Sequence, residues 1–269
     1  NRCYSFILLL IKMAGIIYIY DGTFDGFLTT VFETYTSKQK PLEIVSRYRW
    51  EPNFFDDNKH IFADKAKSER VWKGIISRSN ENIANMFYLA FASEIKGIEN
   101  EMYGYLEKLF ADTTKQYYQN LLDENSFTIY KIARKVNYEV HRFKGFVRFQ
   151  ETADGMFFSV ISPDHDIVSL LAPHFAARYP DRPWIIYDSK RDKGIYFDKS
   201  ELIEMTLTDK QFNTYTGDLN KSVKAEKEDY YQQLWKTFYK SINIKERKNT
   251  RLMLHWLPRR YWKYLPEKS

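Results

Sequence analysis

The side chains best suited to chemistry are the five histidines, His60, His141, His165, His174 and His255. Two of them lie in the segment PDHDIVSLLAPHF, with Asp164 and Asp166 alongside. An imidazole beside a carboxylate can move protons near neutral pH or hold a metal ion. His141, Asp164, His165 and His174 are therefore the candidate catalytic residues. Helical geometry opposes a joint site for His165 and His174. Nine residues at about 100° each set the two rings on opposite faces of a straight helix. Pro173, and the place of His165 at the helix start, soften that objection without removing it. His174 shares its register with Ile167, Leu170 and Leu171, as a hydrogen-bonded, half-buried histidine would, and His165 is equally suited to capping. The sequence contains no H-E-x-x-H, no G-x-S-x-G, and neither of the glycine-rich phosphate loops. With Cys3 its only cysteine, the chain cannot by itself form a disulfide, a thiolate zinc site or a cysteine-ligated iron–sulfur cluster. No metal site and no cofactor is predicted.

Two other stretches suggest a different chemistry. HRFKGFVRF, from His141 to Phe149, sets Arg142, Lys144 and Arg148 among three phenylalanines with no acid before Glu151. Read as a strand after Gly145, it puts Phe146 and Arg148 on one face, where a base could stack and a phosphate be gripped. Phenylalanines in the core and cations capping a helix end explain the same residues. LPRRYWKYLPE, from Leu257 to Glu267, places Arg259, Arg260, Tyr261, Trp262 and Lys263 side by side. Guanidiniums hold phosphate through paired hydrogen bonds, and Tyr or Trp offers a stacking face. The same aromatics could anchor the segment while the cations face water, and both roles can coexist. With Arg247, these residues form the predicted nucleic-acid-binding set: Arg142, Lys144, Arg148, Arg247, Arg259, Arg260, Tyr261, Trp262 and Lys263.

The charge is distributed to match. The chain carries 41 Lys and Arg against 35 Asp and Glu, a net +6. From Lys245 onward eight cations face two acids, so that segment holds the whole excess and the preceding residues sum to zero. A local basic patch is a phosphate-contact signal in a way that a dispersed charge is not.

At 269 residues the chain suits one large domain or two modest ones. An apolar run at Tyr4–Ile11 is too short for a membrane span, and residues 1–12 are expected to be an upstream extension of a domain that begins near Met13. A short strand at Ile16–Tyr20 is followed by an N-cap at Thr23 and a helix with apolar residues at three- and four-residue spacing. One strand is expected around Leu42–Val45. From Asp64 to Phe143 the pattern is helical, with four or five helices. Alternation then begins: KGFVRFQE, a TADG turn, MFFSVIS, a helix with Pro163 in its opening turn and a kink or early break expected at Pro173, then strands at WIIYD, IYFD and ELIEMTL and a long helix at KEDYYQQLWKTFYKSI. The expected fold is α+β: a strand and a helical region over 13–143, then over 144–269 an antiparallel sheet in the order β-β-α-β-β-β-α, helices on one face, with a basic tail. The two could form one compact unit.

HRFKGFVRF, SPDHDIVSLLAPHFAARY, LWKTFYKSINIKERKNTRL and LPRRYWKYLPE, with the opening YDGTFDGFLTTVFE, resemble a bacterial family labelled as DNA metabolism proteins of unassigned function. The resemblance runs from Met13 to Lys268. It implies a radical-SAM DNA modification or repair protein as companion, and in some bacteria fusion of a similar region to a uracil-DNA glycosylase domain. It supplies no catalytic residues. Three function classes remain open. The first is a cytoplasmic, DNA-binding accessory protein whose radical-SAM partner performs the chemistry. The second is an enzyme on DNA or a nucleotide, using the His/Asp candidates. The third is a protein-interaction module without DNA contact.

Overall fold

The computed structural model describes residues 15–52 and 57–268. Cys3, the apolar run and the expected extension at 1–12 lie outside them. No helix among the described residues is long and apolar enough to cross a membrane. The chain divides into two compact units, Asn1–Val136 and Asn137–Ser269, and its class is α+β.

In the first unit β1 (Ile16–Tyr20) lies between β2 (Pro41–Ser46) and β3 (Asp57–Ile61), both parallel to it. Only β1 and β2 were legible in the sequence. β3 reads DNKHI, an edge strand whose polar residues hide the period-two signal. Helix α1 (Phe24–Ser37) starts where the Thr23 hydroxyl accepts the Gly26 N–H at 2.9 Å. Helices α2 (Lys65–Arg78), α3 (Glu81–Ala92) and α4 (Ile98–Ala111) surround a core built on Tyr18, Phe27, Ile75, Phe87 and Met102. Helix α5 (Glu124–Phe146) runs through the boundary, with Glu124–Val136 counted in this unit.

The second unit holds a five-stranded sheet in the order β4-β5-β6-β7-β8: Gln150–Glu151, Phe157–Ile161, Trp184–Asp188, Lys193–Phe197 and Leu202–Met205. The element order is as the sequence predicts. The sheet is mixed, however, because β5 and β6 pair in parallel while the other pairs are antiparallel. The cause is the connection through helix α6 (Val168–Arg178): a crossover lets the next strand run parallel, whereas a tight hairpin would reverse it. On one face Trp184, Ile186 and Asp188 are buried, with Phe175 of α6 against Trp184. On the other, Phe158, Val160, Ile185 and Tyr187 pack under Phe212 and Leu219 of the long connection after β8.

Two local expectations are corrected. KGFVRFQE is not a strand from Lys144: α5 continues to Phe146, and only Gln150–Glu151 pair with β5. Phe143 and Phe146, three residues apart, both pack on the Tyr261 ring at 4.9 and 5.9 Å, so the helical stripe prevails over the apparent alternation. Helix α6 begins at Val168, not at Pro163, so His165 lies in the loop ahead of it. Helix α7 (Glu228–Ser241) and the short α8 (Thr250–Trp256) follow the sheet, and Arg259–Tyr264 forms a 3-10 turn.

Candidate nucleic-acid interface

The late basic segment is folded onto the second unit by a carboxylate. Glu139, buried on α5, accepts the backbone N–H groups of Asp164 (2.8 Å) and His165 (2.9 Å) and the Tyr261 hydroxyl (2.7 Å). These bonds satisfy a buried charge that would otherwise be costly. Tyr261 is only 2% exposed. Burial, and then the bond to Glu139, push its phenol well above its ordinary range. Leu265 is buried too, and the Tyr264 hydroxyl bonds Ser189 Oγ at 3.1 Å. The sequence held a signal for Glu139. It stands three residues after Val136 and four before Phe143, an acid on the apolar stripe of a helix.

The two basic stretches meet. Arg142 Nη2 donates to the His255 carbonyl at 3.2 Å, and its guanidinium lies 5.8 Å from the centre of the Trp256 ring. Arg148 bonds Glu267 at 2.8 Å and covers Trp235 at 5.3 Å, while the Trp235 indole N–H reaches the other Glu267 oxygen at 2.9 Å. Burial raises the Glu267 carboxyl, but hydrogen bonds from Arg148, its own backbone and Trp235 outweigh that and hold it below the usual carboxylate range.

The nine predicted nucleic-acid contacts fall into three groups. Arg148 is committed to Glu267 and Arg260 to Asp164. Tyr261 packs in the core and has no face to offer a base, and Trp262 gives its indole N–H to the Leu257 carbonyl at 3.0 Å. Arg142, Lys144, Arg247, Arg259 and Lys263 have no acidic partner among the described residues. Of these, Arg259 lies over Trp262 at 5.9 Å and Lys263 between Tyr215 and Tyr264 at 4.6 and 4.7 Å. Cations held against rings keep their charge while losing rotamer freedom, which suits them to phosphate.

The histidine candidates are placed in separate local settings. His141 is exposed on α5. Asp164 pairs with Arg260, while His165 is held through its backbone by Glu139. His174 sets its ring edge-on to Phe175 at 5.0 Å. Burial lowers the His174 pKa, helped by the positive charges of Lys144 and Arg178. Among the described residues no group of three or more His, Cys, Asp or Glu is arranged to hold a metal. A second buried charge, at Asp188, has no local signal in the sequence. Asp188, fully enclosed, bonds Arg191 at 2.7 Å, and that guanidinium also donates to the Pro163 and Asp164 carbonyls. This pair closes the loop that α6 follows. Burial raises the Asp188 carboxyl despite the opposing bonds from Arg191 and the Lys190 N–H.

Between the end of α5 and α7 lies a cleft of about 660 Å³, lined by Lys144, Phe149, Phe157, Arg178, Tyr179, Tyr231 and Trp235 among others. The fold and this surface define an α+β protein with a basic, aromatic-rich face. The model of a domain of unknown function, DUF4130, matches residues 96–267, and the chain belongs to that family. No curated protein matches the chain.

Proposed function

We propose that this protein is a DNA-associated accessory factor that binds DNA phosphates and works in the bacterial cytoplasm beside a radical-SAM DNA modification or repair protein, which supplies the chemistry. One observation carries the binding reading. Two basic, aromatic stretches more than a hundred residues apart, at His141–Phe149 and Leu257–Glu267, are folded against each other by the Arg148–Glu267 pair and by Phe143 and Phe146 on the Tyr261 ring. The partner and the repair context rest on the sequence resemblance. Arg142, Lys144, Arg247, Arg259 and Lys263 are the phosphate contacts. Fluorescence anisotropy with a labelled oligonucleotide tests this across a salt series. Five neutralised phosphates give log K a slope of about −4.5 against log salt, at roughly 0.9 per phosphate on duplex DNA. Undetectable or salt-independent binding by the full chain refutes it.

A specific observation favours a second role alongside the first. Leu234, Phe238 and Ile242 on and after α7 are 47%, 53% and 56% exposed and lie at four-residue spacing, an apolar stripe of the kind that partners cover. Retention of the radical-SAM protein on the immobilised chain after nuclease treatment, and its loss in a Leu234→Lys/Phe238→Lys variant, tests that role.

A further inference from the structure

We infer that the cleft between α5 and α7 receives a single unstacked nucleotide, its base among the aromatic rings and its phosphate at Lys144 and Arg178. The inference rests on the DNA-binding reading and specifies what part of the nucleic acid the protein recognises.

The volume comes first. About 660 Å³ lies inside the roughly 300–1,000 Å³ of pockets that enclose a small organic group. The lining then selects a shape. Six of its residues are aromatic, whereas Val147 and Pro266 are its only aliphatic members, so it suits a flat ring better than a branched side chain. The rings are held firmly. Phe149 and Phe157 stack at 5.8 Å and 26°, and Tyr179 meets both edge-on at 5.5 and 5.6 Å. Tyr231, 52% exposed, and Trp235, 38% exposed, still have ring surface to give.

Charge selects the rest of the ligand. Lys144 and Arg178 are both exposed and have no acidic partner among the described residues. The Arg178 guanidinium is steadied by the Tyr179 hydroxyl at 3.3 Å. The two acids of the lining are already engaged. Glu151 pairs with Arg182 at 3.0 Å, and Glu228 accepts the Glu151 N–H and the Gln232 amide, each at 3.0 Å. Gln232 keeps its carbonyl as an acceptor for the edge of a base. Lys144 and Arg178 line the same cleft. A planar ring attached to an anion meets every part of this cleft. An acidic peptide would use the cations but leave the aromatic faces without flat partners.

The test uses the full chain and three labelled probes of one sequence: a single strand, a blunt duplex, and a duplex with one bulged nucleotide. The bulged duplex and the single strand are expected to bind about tenfold or more tighter than the blunt duplex, the scale of one base–aromatic stack. Tyr231→Ala, at a half-exposed position, removes most of that preference, and Lys144→Glu weakens the unpaired probes most. Lys263→Glu weakens all three alike. Trp235→Ala is the poorer probe because its indole also holds Glu267. In the wild type, bound phosphate raises the His174 titration midpoint by NMR. Equal affinity for all three probes, a preference untouched by Tyr231→Ala, or a His174 midpoint unmoved by tight binding overturns the nucleotide site and leaves DNA binding standing. Failure of every probe to bind overturns both.

Discussion

Glu139 is the residue whose loss should be felt most widely. Its carboxylate is the acceptor for three donors from two distant segments: the Asp164 and His165 N–H groups and the Tyr261 hydroxyl. Glu139→Ala strands all three. A buried donor left without a partner costs about 1–3 kcal/mol. The two backbone groups are only partly buried and belong at the low end, about 1 kcal/mol each. The enclosed tyrosine hydroxyl belongs higher, about 2 kcal/mol. The total is about 4 kcal/mol, a large fraction of the roughly 5–15 kcal/mol by which a domain is stable. Tyr261→Phe removes one bond to a charged acceptor and should cost about 1.5–3 kcal/mol. Glu139→Gln keeps an acceptor oxygen and should fall between the parent and the alanine variant. Urea unfolding followed by tryptophan fluorescence and near-UV circular dichroism measures these values. The pair Glu139→Gln and Tyr261→Phe should be non-additive because the side chains touch. An alanine variant within 1 kcal/mol of the parent would show that water satisfies these donors, and the proposed anchoring role of Glu139 would fall.

Arg191→Ala leaves the Asp188 carboxylate enclosed without its cation, and breaking such a pair costs about 3–5 kcal/mol, read from the same urea curves. Gly194→Ala would place a methyl 2.8 Å from the Ile186 carbonyl oxygen and 2.9 Å from Tyr187 Cδ2. Because the obstruction is backbone, this variant should lose about 1–3 kcal/mol, checked by thermal melts. Glu267 has a folded-state pKa below its unfolded one. Its contribution is therefore present above the ordinary glutamate range and is lost as pH falls through the depressed value. Glu267→Gln should flatten that part of the acid-stability profile, and an unchanged profile would rule the contact out as its source.

How much of this was legible in the sequence depended on whether a signal was local. Strands β6, β7 and β8 carry short apolar runs broken by turn residues, and the structure places them where the runs fall. Thr23 announced the start of α1 because an N-cap is a property of adjacent residues. β3 was hidden because its pairing to β1 depends on register across a sheet and its own residues are polar. HRFKGFVRF misled because Phe143 and Phe146 satisfy a helical stripe while Phe146, Arg148 and Gln150 imitate alternation. Only the presence of Tyr261, far along the chain, decides between them. The basic and aromatic residues were visible as types. Which of them remain available was not, since the partners of Arg148 and Arg260 are acids over ninety residues away. The cleft was likewise invisible, being assembled from α5, β5, α6 and α7.

The parallel seam between β5 and β6 also bears on the order in which the second unit forms. β4 with β5, and β6 with β7 and β8, are joined by short turns and can pair as soon as they are made. The seam must wait for residues 162–183, including α6, to fold back across the sheet. Closing that larger loop carries an entropic cost before any ladder bond rewards it. The hairpin and the meander should thus appear early in refolding, with the Phe158–Ile185 neighbours docking in the rate-limiting step. Mutations at Val160 or Ile186 would then slow folding, whereas those in β8 would chiefly speed unfolding.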